Sequence, residues 1–97
     1  DKGPMGGEAM LMGLGGCFMS NLLAAALARD VALSAAKVEI EGDLAEAPPR
    51  YTAIRMRVSA VCDPAAQIQK LVTIAERGCI VANTLRGAVD LTVECIG

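Results

Sequence analysis

The chain has 97 residues, 54% of them hydrophobic but only 2% aromatic, and a formal net charge of −2. That length makes one domain. Without a basic stripe or any Trp, and with one Phe and one Tyr, it has no phosphate-binding surface or stacking platform, which excludes a nucleic-acid binder. It also contains no histidine, which removes imidazole triads, general bases and metal ligands and leaves four cysteines as the strong nucleophiles. So short a chain cannot hide this much apolar surface by itself. A second copy across an extensive homodimer interface is the simplest outlet.

Residues 1–7 form a Gly/Pro-rich lead-in, and the missing initiator methionine reads as a start lost or cleaved. Glu8 to Leu14 is a first short helix, with Glu8 suited to its positive N-terminal end. Gly15-Gly16 closes it, and Cys17 to Arg29 is a second helix. Phe18, Leu22, Ala25 and Ala26 share one face, yet Leu23, Ala24 and Leu27 make the rest apolar too, which predicts a central buried helix. Ala9 to Ala28 carries no charge and is long enough to span a bilayer. Three glycines, Ser20, Asn21 and the lack of a flanking basic cluster favour a helix inside a protein, so no membrane partner is expected. Leu14-Gly15-Gly16-Cys17 is superficially like a lipoprotein cleavage site, but the apolar stretch before it is too short and contains Glu8.

Lys37-Val38-Glu39-Ile40-Glu41 alternates as a half-buried strand does. Gly42 to Pro49 is a long turn, since Pro48-Pro49 forbids helix. In the next strand, Tyr51 to Val61, Ile54, Met56, Val58 and Ala60 face inward, and Arg55, Arg57 and Ser59 outward. Asp63-Pro64 reads as N-cap plus first helical residue. An amphipathic helix follows, carrying Ile68, Leu71, Val72 and Ala75, and Gly78 ends it. A short helix begins at Cys79 and stops at Gly87, and Asp90 to Ile96 alternates again with Leu91, Val93 and Cys95 on one face. The order α-α-β-β-α-α-β predicts an α+β fold. Its three-stranded antiparallel sheet packs with a central buried helix and flanking helices.

Cys17 and Cys79 occupy the same kind of place, directly after glycine and before an apolar helical run. A helix start carries unpaired N–H groups and about half a positive charge. A thiol there ionises more easily, and the thiolate is the reactive form. Two such positions suggest a two-cysteine redox centre. Each also has a bland alternative, since free cysteine is among the most buried residue types; burial should be less complete at Cys79. Cys62 at a strand end and Cys95 on the core face of the last strand read as small hydrophobes. Zinc is disfavoured because there is no C-x-x-C pair. A secreted disulfide framework suits the even count, but a reducing cytoplasm suits a chain that is not loop-rich. Glu8 is either a plain helix-start carboxylate or a group that organises the surroundings of Cys17. Arg55, Arg57 and Arg86 are either solvated or hold a thiolate near neutral pH.

Gly3-Pro4, then Gly6-Gly7-Glu8-Ala9-Met10-Leu11 and Gly13-Leu14-Gly15-Gly16-Cys17, resemble the first cysteine motif of the OsmC/Ohr family, the osmotically inducible and organic hydroperoxide resistance proteins. The run Ala75 to Leu85 is similar to its second motif, and Val38 to Gly42 with Pro49 to Ile54 to its hairpin. The likeness covers nearly the whole chain. It implies a single OsmC-like domain over residues 1–97, without the strand meander that supplies an arginine to the site in typical members. It also implies an intertwined homodimer and a thiol-dependent peroxidase that uses no cofactor. In that scheme Cys17 attacks a small hydrophobic peroxide, Cys79 resolves the product to a disulfide, and Glu8 belongs to the catalytic set. An external dithiol, typically a lipoylated protein in one branch, reduces the disulfide. The competing expectation is a non-enzymatic dimer on the same scaffold, acting as a redox-sensitive or hydrophobic-ligand-binding module.

Overall fold

The computed structural model describes residues 5–96. Gly3, Pro4 and the rest of residues 1–4 lie outside the described residues, as does residue 97. The elements are helix α1 (Gly6–Ala28), strands β1 (Ala32–Glu46) and β2 (Pro49–Asp63), a 3₁₀ turn (Ala65–Gln67), helices α2 (Ile68–Gly78) and α3 (Ile80–Leu85), and strand β3 (Asp90–Cys95).

The two N-terminal helices expected from the glycines are one. Helix α1 runs unbroken through Gly13, Gly15 and Gly16. Each glycine costs a helix interior about 1 kcal/mol relative to alanine. Packing outweighs that propensity, because Leu14, Phe18, Leu22 and Ala25 recur at helical spacing and all enter the core. Gly15 also permits a close approach to the sheet: a Cβ there would lie 2.8 Å from Ile40 Cδ1. The lead-in is likewise shorter than expected. Gly6 and Gly7 are already helical, and the Glu8 carboxylate accepts the Met5 N–H at 3.1 Å. At the other end Asp30 takes a left-handed φ of 55°, the Asp30 N–H donates to Leu27 O and the Val31 N–H to Ala26 O. This is a Schellman closure with aspartate in the usual glycine position.

Nor is α1 buried all round within one chain. Only one stripe is covered, while Leu23 is 49% and Leu27 84% exposed. The helix is long and apolar enough to cross a membrane by length and composition, although its core stripe packs inside the fold.

Strands β1 and β2 form a long antiparallel ladder that continues to Glu46↔Pro49, so the turn is Ala47-Pro48 rather than residues 42–49. Proline is compatible with the first residue of a strand, and Pro49 holds that position. The ladder slips between Ser34 and Lys37, where Ala35 adopts a φ of 52°. Ile54, Met56 and Val58 point into the core as the alternation predicts, whereas Ala60 is only half-buried. Pro64 does not start a helix: it has extended backbone and caps the 3₁₀ turn, after which α2 begins at Ile68.

The sheet is mixed, not antiparallel. Its order is β1-β2-β3, and β3 runs parallel to β2 with Ile54 beside Leu91 and Val58 beside Cys95. The connection between them carries α2 and α3, and a parallel neighbour needs a crossover of that kind. The core joins Leu14, Phe18 and Leu22 of α1 to Ile54, Met56 and Val58 of β2 and Leu71, Val72 and Ala75 of α2.

Candidate thiol site

The site lies where the middle of α1 meets the corner between α2 and α3. That corner is built locally. Gly78 ends α2, Cys79 turns out with extended backbone (φ −79°, ψ 108°), and α3 starts at Ile80. Three bonds fix α3 in place: Asn83 Nδ2 donates to Arg77 O at 3.0 Å, Arg86 Nη1 pairs with Glu76 at 3.1 Å, and the Asn83 N–H donates to Cys79 O at 2.9 Å.

The first N–H groups of a helix have no partner inside it, and at α3 the Cys79 sulfur takes one of them. The Ala82 N–H donates to Cys79 Sγ at 3.5 Å, and the Val81 and Ile80 N–H groups are near enough to Cys17 to act on its acidity. Cys79 therefore occupies a helix start, as its sequence indicates. Cys17 does not, because it lies in the interior of α1 and takes its donors from another helix.

The two thiols influence each other, and their acidities move in opposite directions. The Val81 N–H, then the bond from Cys79, pull the Cys17 thiol below its ordinary value; burial opposes this and the Ile80 N–H adds to the fall. Burial pushes the Cys79 thiol up; the Ala82 N–H opposes the rise, and the bond to Cys17 and its charge reinforce it. Accessibility follows the same division. Cys17 is half-buried, whereas Cys79 is 0% exposed, the reverse of the expectation that Cys79 would be the less buried. The pair thus consists of a half-buried sulfur whose pKa is lowered and a fully buried one whose pKa is raised. All four cysteines are free thiols.

The other candidates lie elsewhere. Glu8 is about two and a half helical turns from Cys17, some 13 Å along the axis and on the opposite side of α1. It is exposed and caps the helix, so this chain does not bring it to the thiols. Arg55 binds Asp43 with two bonds of 2.8 and 3.0 Å and Glu41 at 3.0 Å, and Arg57 binds Glu41 at 3.1 Å. These cross-strand pairs lie on the outer face of the sheet, and they hold both carboxylates below their ordinary range. With Arg86 paired to Glu76, all three arginines are engaged by carboxylates rather than by a thiolate. Cys62 donates to Pro64 O at 3.2 Å, and Cys95 is half-buried against the core. No cluster of three or more metal-ligating side chains occurs among the described residues.

Sequence reasoning missed Asn21. Its Nδ2 is buried without a hydrogen-bond partner, one turn beyond Cys17. The available signal was a carboxamide four residues after the cysteine in an otherwise apolar run.

The fold is an α+β domain in which two free thiols, Cys17 and Cys79, lie near each other. The family profile described as OsmC-like protein matches residues 1–94, and the chain belongs to that family. Among solved structures, a hypothetical protein from Aquifex aeolicus VF5 superposes with a TM-score of 0.87 at 18% identity, over 99% of this chain and 75% of its own. The organic hydroperoxide resistance protein OsmC from Legionella pneumophila gives a TM-score of 0.79 at 20% identity, over 93% and 67%. The organic hydroperoxide resistance protein OhrB of Bacillus subtilis gives 0.62 at 20% identity, over 88% and 64%. At these identities the likeness establishes the fold. No curated protein sequence matches the chain.

Proposed function

We propose that the protein is a cytoplasmic, homodimeric thiol peroxidase that reduces alkyl or fatty hydroperoxides without a cofactor. The feature that supports this reading is the packing of Cys17 against the cluster that holds Cys79, close enough that each thiol shifts the other's acidity. The Cys17 thiolate attacks the terminal peroxide oxygen, forming an S–O bond as the O–O bond breaks. The alkoxide takes a solvent proton and leaves as the alcohol. Cys79 then attacks the Cys17 sulfenic acid, an S–S bond forms, and the oxygen departs as water with the Cys79 proton. An external dithiol, for which a lipoylated protein is the natural class, returns both thiols. The names of the Legionella and Bacillus neighbours agree with this chemistry. The uncovered side of α1, with exposed Leu23 and Leu27, supports the dimer.

A groove of about 630 Å³ between α1 and β1, walled by Leu11, Met12, Met19, Val38 and Ile40, favours the second reading, a hydrophobic-ligand module. Intact mass after one equivalent of cumene hydroperoxide separates the two. The peroxidase loses two hydrogens, mapped by digestion to a Cys17–Cys79 bond, whereas a binding module keeps both thiols. Sedimentation of the same sample at twice the chain mass supports the dimer, and a single-chain mass removes it.

A further inference from the structure

The Asn21 carboxamide has no role in the chemistry above, yet it is placed to take part in it. A buried donor without an acceptor costs a fold about 1–3 kcal/mol, and such groups call for an explanation. Asn21 Nδ2 is one. Residues four apart on a helix are neighbours on one face. Helical side chains also lean toward the N-terminus, so the carboxamide inclines over the turn that carries Cys17. Its position is fixed from the other side as well, since a Cβ on Gly78 would lie 3.8 Å from Nδ2. The amide therefore rests against the same corner that carries Cys79 and opens α3. The Ala82 N–H at that corner already meets sulfur, whereas the Asn21 amide meets nothing.

We propose that Asn21 is the oxygen-binding donor of this site: its Nδ2–H receives the oxygen that Cys17 takes from a hydroperoxide. The inference rests on the peroxidase reading. Sulfur alone needs no further donor, whereas the product of attack carries a new oxygen on Cys17. A hydrogen bond made to that oxygen as the S–O bond forms strengthens toward the transition state and lowers the barrier. In the second step the same bond steadies the oxygen as the S–O bond breaks and it leaves as water.

The test compares an oxygen-donating reagent with one that delivers no oxygen, on the full chain. Loss of the Cys17 thiol is timed with cumene hydroperoxide and with iodoacetamide, for wild type, Asn21→Leu and Asn21→Ala. The expected result is a tenfold to hundredfold slower reaction with the hydroperoxide, roughly at or below the loss typical of one oxyanion donor. Alkylation should stay within about twofold, because thiolate formation and access do not use this amide. Equal slowing with both reagents would make Asn21 merely structural and overturn the proposal, as would unchanged rates with both. Should Asn21→Leu fail to fold, Asn21→Ala, which removes the donor without adding bulk or charge, decides the matter on the same two rates. A wild type that alkylates normally but ignores the hydroperoxide overturns the peroxidase reading itself and this inference with it; an active wild type with unaffected variants overturns only the inference.

Discussion

Gly16-Cys17 and Gly78-Cys79 are the same dipeptide before the same kind of apolar run, yet they fold in opposite ways. The first is absorbed into the interior of a 23-residue helix, and the second breaks the chain between two helices. What precedes each glycine makes the difference. Before Gly16, Leu14 is in phase with Phe18 and Leu22, so a continuous helix buries all three. Before Gly78, α2 has already buried Leu71, Val72 and Ala75 on one face. Continuing straight would carry the chain away from the core that Cys79 and Ala82 enter. A cysteine next to a helix start in space can thus be far from one in sequence, and here a single helix end serves two sulfurs.

The largest expected effect separates the two cysteines by role. Cys17→Ser should abolish hydroperoxide consumption, a loss of at least about a thousandfold given how poorly an unassisted hydroxyl replaces a thiolate. Cys79→Ser should complete one turnover and stop as a sulfenic acid that dimedone traps. Equal turnover in the two variants would erase the distinction. Next in size, Gly16→Pro tests the continuity of α1. Proline inside a helix costs about 3 kcal/mol or more, read as a lower urea midpoint, whereas a helix that began at Cys17 would tolerate it with little change.

The pH dependence sharpens the same contrast. Alkylation of Cys17 should rise through an inflection below the ordinary thiol value of 9.0, and that of Cys79 through one above it. The linked stabilities have opposite signs. Ionised Cys17 supports the fold above the ordinary value, and that support is lost as pH falls through its lowered one. Neutral Cys79 supports the fold below the ordinary value, and that support is lost as pH rises toward its raised one. The smallest effect is expected from Val81→Pro, which removes one N–H from the first turn of α3, where proline is tolerated. The Cys17 inflection should move up toward the ordinary value while the fold persists; an unmoved inflection would mean that α3 does not set the acidity of Cys17.

The strands were legible because their alternation is local: Lys37 to Glu41, Tyr51 to Val61 and Asp90 to Ile96 each fall on the expected element. The direction of β3 was less so, since strand composition carries no sign of polarity. The clue lay in the connection, where two helices between β2 and β3 make the length and shape of a parallel crossover. The three glycines of α1 misled because their low helix propensity is a local quantity, while the packing that overrides it involves Ile40 and the core. The two cysteines that meet could be singled out from their flanking residues and from the family resemblance. The donors from Ile80 and Val81 could not, because they belong to a tertiary contact. Asn21 was visible only as a polar interruption in an apolar run.

The parallel attachment of β3 has a consequence for the order of assembly. The hairpin of β1 and β2 closes over a short span of chain and can form early, but the packing of α1 against α3 joins points far apart in sequence and must bear a larger loop-closure entropy. During synthesis Cys17 therefore emerges from the ribosome well before Cys79 and, under the proposed chemistry, stays unguarded until the C-terminal third arrives. Pulse alkylation of refolding chains should find Cys17 and Cys79 becoming protected together and late, after the hairpin amides; early protection of Cys17 alone would show that the helix shields it without help.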